Sequence, residues 1–270
     1  MNYRHFAVSL ISAVMLAGCG SSSASQAKVL RVGMECNYAP FNWSTTQKTD
    51  TSKPISSVDF CDGYDVVIAS ELAGKTGMEV EIVKYDWDNL IPGLQNGEID
   101  AIIAGMTATP ERMEVVDFTT PYYVSEEVVL VRGDSDLTGI TSIQDLSGHV
   151  VKGQLNTLYD EIIDQINGVT HGTALDNVPA LINDLQKGGC DAVVVELPVA
   201  NGIVAANPDL AFVRFPAGAG FDVDASVSIA VSKNNPDLLK SLQEALDTIS
   251  EDDRQQMMSD AVNRQPANEE

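Results

Sequence analysis

The sharpest chemical signal in the sequence is GMTATPER, from Gly105 to Arg112. A strand ends there and a helix opens, with Thr109 as N-cap, Pro110 at the first helical position and Arg112 in the first turn. Free backbone N–H groups and a guanidinium then face one space, and together they suit a carboxylate. A capped helix with a solvated arginine has the same local pattern, so its company decides. Tyr38 follows the first apolar run and Trp87 the third, and open α/β sheets bind ligands at the carboxyl ends of strands. Such rings either flank the aliphatic part of a small molecule or belong to the core. Glu35, one residue past the first strand, is poor core material. It either partners a cation or satisfies backbone donors around the turn at Cys36.

Reaction chemistry has little support. Beyond the leader only His149 and His171 remain, there is no GxSxG elbow or HExxH pair, and Cys190 has no evident base beside it. DSDLTGITSIQD at 134–145 loosely echoes a calcium loop but ends in Asp with no helix before it, so it reads as a polar turn. No catalytic residue, metal or cofactor is expected. With 16 Lys plus Arg against 39 Asp plus Glu, the formal charge is -23, which repels a phosphate backbone and excludes nucleic acid as a partner.

These side chains need a scaffold, and 270 residues, 44% of them hydrophobic, are enough for one or two compact units. Arg4 and His5 precede FAVSLISAVMLA at 6–17, which has the length of a signal-peptide core and is too short to span a bilayer. LAGC, Leu16 to Cys19, resembles a bacterial lipobox, which implies cleavage before Cys19 and lipid attachment to it. Residues 1–18 are then a lipoprotein signal peptide, and 19–28 a lipidated cysteine and flexible tether. The expected location is the outer face of the bacterial cytoplasmic membrane. Export makes disulfides durable. Cys36 with Cys61 is the natural pair, since it closes a loose polar insertion, whereas Cys190 beside AVVV suits a buried thiol.

Buried-strand runs alternate with helical periods, the pattern of an α/β chain with mainly parallel sheets. VLRVGM (29–34), MEVEIVKY (78–85) and DAIIAGM (100–106) read as strands, separated by helices through Tyr64–Leu72 and Leu90–Leu94. SEEVVLVRG, HVVKGQ, CDAVVVE and LAFVRF begin and continue a second set, with Tyr159, Ile162, Ile163 and Ile166 on one helical face and Val178 to Leu185 on another. SVSIAVSK (226–233) reads as a strand, and Leu239, Leu242, Leu246 and Ile249 mark the last helix before a polar tail. Two βα lobes fit this length better than one large sheet.

LRVGMECNYAPFNW, GYDVVIASELAGKTG, WDNLIPGLQNGEIDAIIAGMTATPERMEVVDFTTPYY and CDAVVVE together resemble the polar amino-acid-binding proteins of bacterial ABC-type importers, the extracellular solute-binding protein family 3. The resemblance covers essentially 29–262. It implies a two-lobe type II periplasmic-binding-protein fold with two hinge strands and the ligand in the interlobe cleft. Lobe 1 would be 29–121 plus 226–270, and lobe 2, with the hinge strands, 122–225.

The resemblance further implies that Arg112 and the Thr107 backbone hold the ligand α-carboxylate. Gly105 and the Thr107 hydroxyl contribute to the α-ammonium, with Met106 between them in the same site. Tyr38 and Trp87 stack on the side chain. From lobe 2, Gln154, Thr157 and Leu158 belong to a loop whose helix start also reaches the carboxylate, although Asn156 stands where glycine is usual. Glu196 occupies the position of a more usual aspartate that binds the ammonium, and its extra methylene should shift the ligand or tighten the cleft. Glu35 likewise replaces an aspartate at the distal end of the pocket, which favours Lys, Arg or a related cationic amino acid. Asp65 lies close to the same region, and the insertion 42–62 is longer than usual. The implied partners are a free amino acid and an ABC permease, with the chain a monomer. A sensor module or a dehydratase-like enzyme on the same fold is the alternative.

Overall fold

The computed structural model describes residues 28–266. Two mixed five-stranded sheets organise the chain. In the first, Lys28–Met34 lies between Met78–Lys84 and Ala101–Ile102, parallel to both, and Ala230–Ser232 and Val116–Phe118 complete the order. In the second, Val150–Lys152 and Ala192–Glu196 run parallel, while Glu127–Arg132 pairs antiparallel with Ala192–Glu196 and Leu210–Val213. The chain passes between the sheets twice, through Tyr123–Val124 and Ser226–Val227, which pair antiparallel. Both five-stranded sheets are filled by the apolar runs that the sequence shows: Val32, Met34 and Ile102 are buried in one, Val128 to Val131 and Val193 to Val195 in the other.

Helix Tyr64–Lys75 covers the first sheet because Tyr64, Ile68, Ala69 and Leu72 recur on one face, and all are buried. Its entry requires glycine: Gly63 has φ 132°, and a Cβ there would lie 2.3 Å from the Phe41 carbonyl oxygen. The polar insertion folds onto this entry as a small sheet of Asn37–Tyr38, Asn42–Thr45, Phe60–Asp62 and Lys53–Pro54. Cys36 and Cys61 are joined by a disulfide with a Cα–Cα distance of 5.7 Å. Cys190 is a buried thiol, pushed up to about 12 by burial.

Several local expectations differ from the structure. The run 100–106 holds only a two-residue strand, Ala101–Ile102, because the backbone leaves the ladder toward Gly105, at φ 63°. The run 226–233 is not one strand but two, Ser226–Val227 and Ala230–Ser232, since the chain changes partners as it crosses between sheets. The helix expected around Tyr159 is a single turn, Leu158–Glu161, followed by a 3-10 turn, Ile162–Gln165. The polar tail is largely helical: Glu251–Arg264 starts at Ser250, whose hydroxyl accepts the Asp253 N–H, and buries Met258 and Ala261. Its Arg264 reaches back to Asp62 at 3.2 Å and tethers the insertion. In 134–145, two 3-10 turns form, and Asp145 closes a capping box with Ser142.

No helix among the described residues is long and apolar enough to cross a membrane. The expected signal peptide, 1–18, and the expected lipidation at Cys19 lie outside the described residues.

Candidate functional site

One cavity is lined by Glu35, Tyr38, Trp87, Gly105, Thr107, Arg112, Gln154, Thr157, Leu158 and Tyr159. It lies between the two sheets' loops, at the carboxyl ends of the parallel strands, where an open α/β sheet leaves backbone groups free. The helix Pro110–Val115 is capped as its sequence demands, Thr109 Oγ1 accepting the Arg112 N–H at 3.3 Å. That turn aims the Arg112 guanidinium inward. Nη1 donates to the Thr107 carbonyl at 2.9 Å, Nη2 donates to the Asn156 carbonyl at 3.1 Å, and the group lies 5.1 Å from the Trp87 ring centroid. Burial lowers its pKa, while Tyr159, Glu161 and Glu111 act the other way. A guanidinium stays charged under such pressure, so the cavity keeps a fixed cation with planar donors.

The opposite character comes from acids. Glu35 is 4% exposed and accepts from Gln154 Nε2 at 3.2 Å. Burial raises it to about 7; the Gln154 bond pulls it down, and Asp86 and Asp88 push it further up. Glu196 is fully buried. Its Oε1 accepts from the Tyr38 hydroxyl at 2.8 Å and from the Tyr159 hydroxyl. Burial raises Glu196 to about 7, against the pull of the neighbouring hydroxyls of Tyr159, Tyr38 and Ser125. Both phenols donate to Glu196, and the Tyr38 hydroxyl also lies 3.3 Å from the Tyr159 oxygen as a donor to it, so one Tyr159 lone pair is taken and the remaining lone pairs are left for a donor in the cavity.

Two expected residues stand elsewhere. Met106 is buried and does not line the cavity; its carbonyl accepts the Ser228 N–H at 2.8 Å. Glu196 does not line it either, because Tyr38 and Tyr159 stand between its carboxylate and the space. The longer side chain thus works through the two hydroxyls. Tyr38 also stacks on Phe41, with centroids 5.4 Å apart, so its ring is held by the core.

Sequence periodicity placed Tyr159 on a buried helical face, and it is buried, but its hydroxyl belongs to the site. Asn156 stands in the left-handed region at φ 57°, a conformation that asparagine tolerates better than other non-glycine residues. Its carbonyl accepts from both Arg112 and Trp87 Nε1, and its amide donates to Asp88 at 2.9 Å. These bonds, with Gln154 to Glu35 and Tyr38 to Glu196, join loops of one sheet to loops of the other.

Behind the cavity, Asp65 is wholly buried and organises both walls. Tyr122 donates to it at 2.7 Å and accepts the Gly105 N–H at 2.9 Å. Asn42 donates to its other oxygen at 2.7 Å and accepts the Cys36 N–H at 2.7 Å. One carboxyl group therefore fixes the segment before Thr107 and the turn after Glu35. Burial raises it to about 7, against the bonds from Tyr122 and Asn42. Gly105 suits its place, since a Cβ there would approach the Tyr38 ring to 3.0 Å.

These groups predict a pH profile. Glu35, Asp65 and Glu196 at about 7, and Glu127, raised to about 8 chiefly by burial, all hold a proton more tightly folded than unfolded. Their contribution to stability is complete below about pH 4 and is lost as pH rises through 7 to 8. Carboxyls held low, such as Asp62 and Asp191, act only at the acid end. Unliganded protein should lose about 2 kcal/mol or more between about pH 5 and about pH 8 in urea unfolding. A flat profile over that range means these carboxyls are not buried as described.

The chain matches the family model for bacterial extracellular solute-binding proteins, family 3, over residues 30–261. It is 31% identical over 236 residues to a probable histidine-binding protein of Campylobacter jejuni, covering 86% of this chain and 84% of that one. The arginine-binding extracellular protein of Bacillus subtilis is 32% identical over 200 residues, 72% of each chain. Among solved structures, a Streptococcus pneumoniae amino acid ABC transporter substrate-binding protein bound to L-arginine aligns with a TM-score of 0.75 at 28% identity, covering 87% of this chain and 94% of that one. The fold is the two-lobe type II periplasmic-binding-protein architecture. The chain belongs to the bacterial extracellular solute-binding proteins, family 3.

Proposed function

We propose that the chain captures a free amino acid, a cationic one such as arginine preferred, by closing its two lobes, and presents it to an ABC importer. The observation that carries this reading is the polarity of one cavity: a half-buried guanidinium on one wall, and on the others Glu35 and two phenol oxygens backed by Glu196. A zwitterion entering such a space loses water at both ends, so both ends need partners. Arg112 takes the α-carboxylate, the Tyr38 and Tyr159 oxygens take the α-ammonium, and Glu35 takes the distal cation.

Relatives named for histidine and arginine binding support a basic ligand. The partners divide between lobes, so the closed form binds more tightly than the open one, and the ligand shifts the population by that difference. We read the chain as a monomeric binding protein rather than an enzyme. His171 is engaged by Asp160 and Asp164, and His149 neighbours Asp191, so neither lines the cavity. Lipid on Cys19 would hold the protein at the outer face of the cytoplasmic membrane, beside its permease.

The test is a thermal-shift screen of the unlipidated protein against all amino acids, ornithine and citrulline. Ligand at about a thousand times its Kd adds roughly 4 kcal/mol, or about 10 °C. Shifts with Arg, Lys or ornithine are expected. Shifts with neutral residues alone would remove the cationic preference, and no shift in protein stripped of ligand would remove the amino-acid reading.

A further inference from the structure

In the antiparallel pairing of Glu127–Arg132 with Ala192–Glu196, Glu127 stands directly opposite Glu196. Residues so opposed share a face of the sheet, with Cβ atoms roughly 5 Å apart, and like charges there repel. The charged groups that act most strongly on Glu127 are themselves acids, Glu196, Asp224 and Glu126, and Asp65 adds to the burden on Glu196. Glu126 is already engaged by Arg214 at 2.7 Å. The hydroxyls of Tyr38, Tyr159, Tyr123 and Ser125 also act with the pair, and none of them carries a positive charge. Glu127 Oε1 is buried with no hydrogen bond, and Glu196 Oε2 has only the neighbouring Ser125 hydroxyl to draw on, which itself has no other partner. Two opposed carboxylates with unmet oxygens, in surroundings this acidic, are stable with one proton between them or with a cation brought against them.

We propose that Glu127 and Glu196 form one carboxylate pair that holds a single proton until the ligand's ammonium arrives at the Tyr38 and Tyr159 hydroxyls, and then releases that proton to solvent. The inference rests on the amino-acid reading given above. It makes Glu127 a specificity-determining residue: a neutral group in the ammonium's place leaves the proton where it is and gains nothing from the second carboxylate. Both groups are raised by burial, Glu196 to about 7 and Glu127 to about 8, which places the exchange near neutral pH.

The test is calorimetry with L-arginine near pH 7 in phosphate and in Tris, whose different ionisation heats yield the number of protons released. Glu127→Gln should release at least about half a proton fewer than wild type. Without the second carboxylate no proton is shared, and Glu196, raised to about 7 by its own burial, is already partly ionised near pH 7 when the ligand arrives. Between about pH 6 and about pH 8 the wild-type Kd should tighten by about tenfold more than that of the variant. Glu35→Gln serves as the control, since it removes a different carboxyl and should leave the pair's proton in the count. Equal proton release by wild type and Glu127→Gln overturns the proposal. Should Glu127→Gln not bind, Glu127→Asp restores the carboxylate and should bind with the wild-type proton count; binding without it, or no binding, assigns Glu127 a structural role and overturns the proposal equally. A wild-type protein that binds no amino acid fails the amino-acid reading itself, a result distinct from binding without proton release.

Discussion

Arg112→Ala should weaken binding of the preferred amino acid by at least about 100-fold in calorimetry while leaving thermal unfolding of the unliganded protein nearly unchanged. The size follows from what is left behind. A charge-assisted pair to a carboxylate contributes about 1.5–3 kcal/mol, and removing one partner adds the cost of a buried carboxylate with no counter-charge. The fold should survive because Arg112 holds its helix by its backbone: Thr109 Oγ1 accepts the residue's N–H, which alanine keeps. The guanidinium's own bonds go to two carbonyls at the cavity, those of Thr107 and Asn156, and not to the core. Arg112→Lys should lie between, since an ammonium supplies charge without the planar fork. Unchanged affinity in Arg112→Ala would move the anion site elsewhere and dissolve the cavity's polarity.

The part of this site that motifs carry is the part set by local backbone. A Thr-Pro helix start dictates where Arg112 points, and the ends of the strands place Glu35, Tyr38 and Trp87 before any contact is known. What motifs do not carry is reach. Glu196 ends its strand as its sequence suggests, yet one more methylene and two facing phenols set its carboxylate behind the cavity wall. Tyr159 shows the same limit from the other side, because a helical period marks a residue as buried without saying whether its polar tip meets core or ligand. Its partners Tyr38 and Glu196 are 121 and 37 residues distant; the first pairing exists only once the lobes meet, the second only once the strand that ends at Glu196 packs against the turn at Tyr159. The helix Glu251–Arg264 hid for a different reason. Its first turn is acidic, Glu251, Asp252 and Asp253, which favours a helix N-terminus, but its buried stripe is thin and its mean character polar. The Ser250 to Asp253 cap was the available signal.

Glu35→Gln separates recognition of the amino-acid ends from recognition of the side chain. The substitution keeps size and hydrogen-bonding capacity and removes the charge that a distal guanidinium or ammonium would meet. Arginine should lose roughly 10- to 100-fold in affinity, the span of a hydrogen bond to a charged group, whereas citrulline, its neutral isostere, should lose less than about threefold. The pH dependence gives a second, independent reading. Glu35 is raised to about 7, chiefly by burial, so below that pH arginine must displace a proton to gain its partner, and wild-type affinity should weaken as pH falls from about 8 to about 6. In Glu35→Gln this part of the slope disappears. A residual slope should remain, because Glu196 and its opposite strand neighbour Glu127 are raised as well. Gln154, which donates to Glu35 at 3.2 Å, can turn its amide to meet the new glutamine, so the cavity wall need not shift. Equal losses for arginine and citrulline would show that Glu35 serves the turn at Cys36 rather than the ligand, and the preference for a cation would then have to come from the acids of the ammonium end alone.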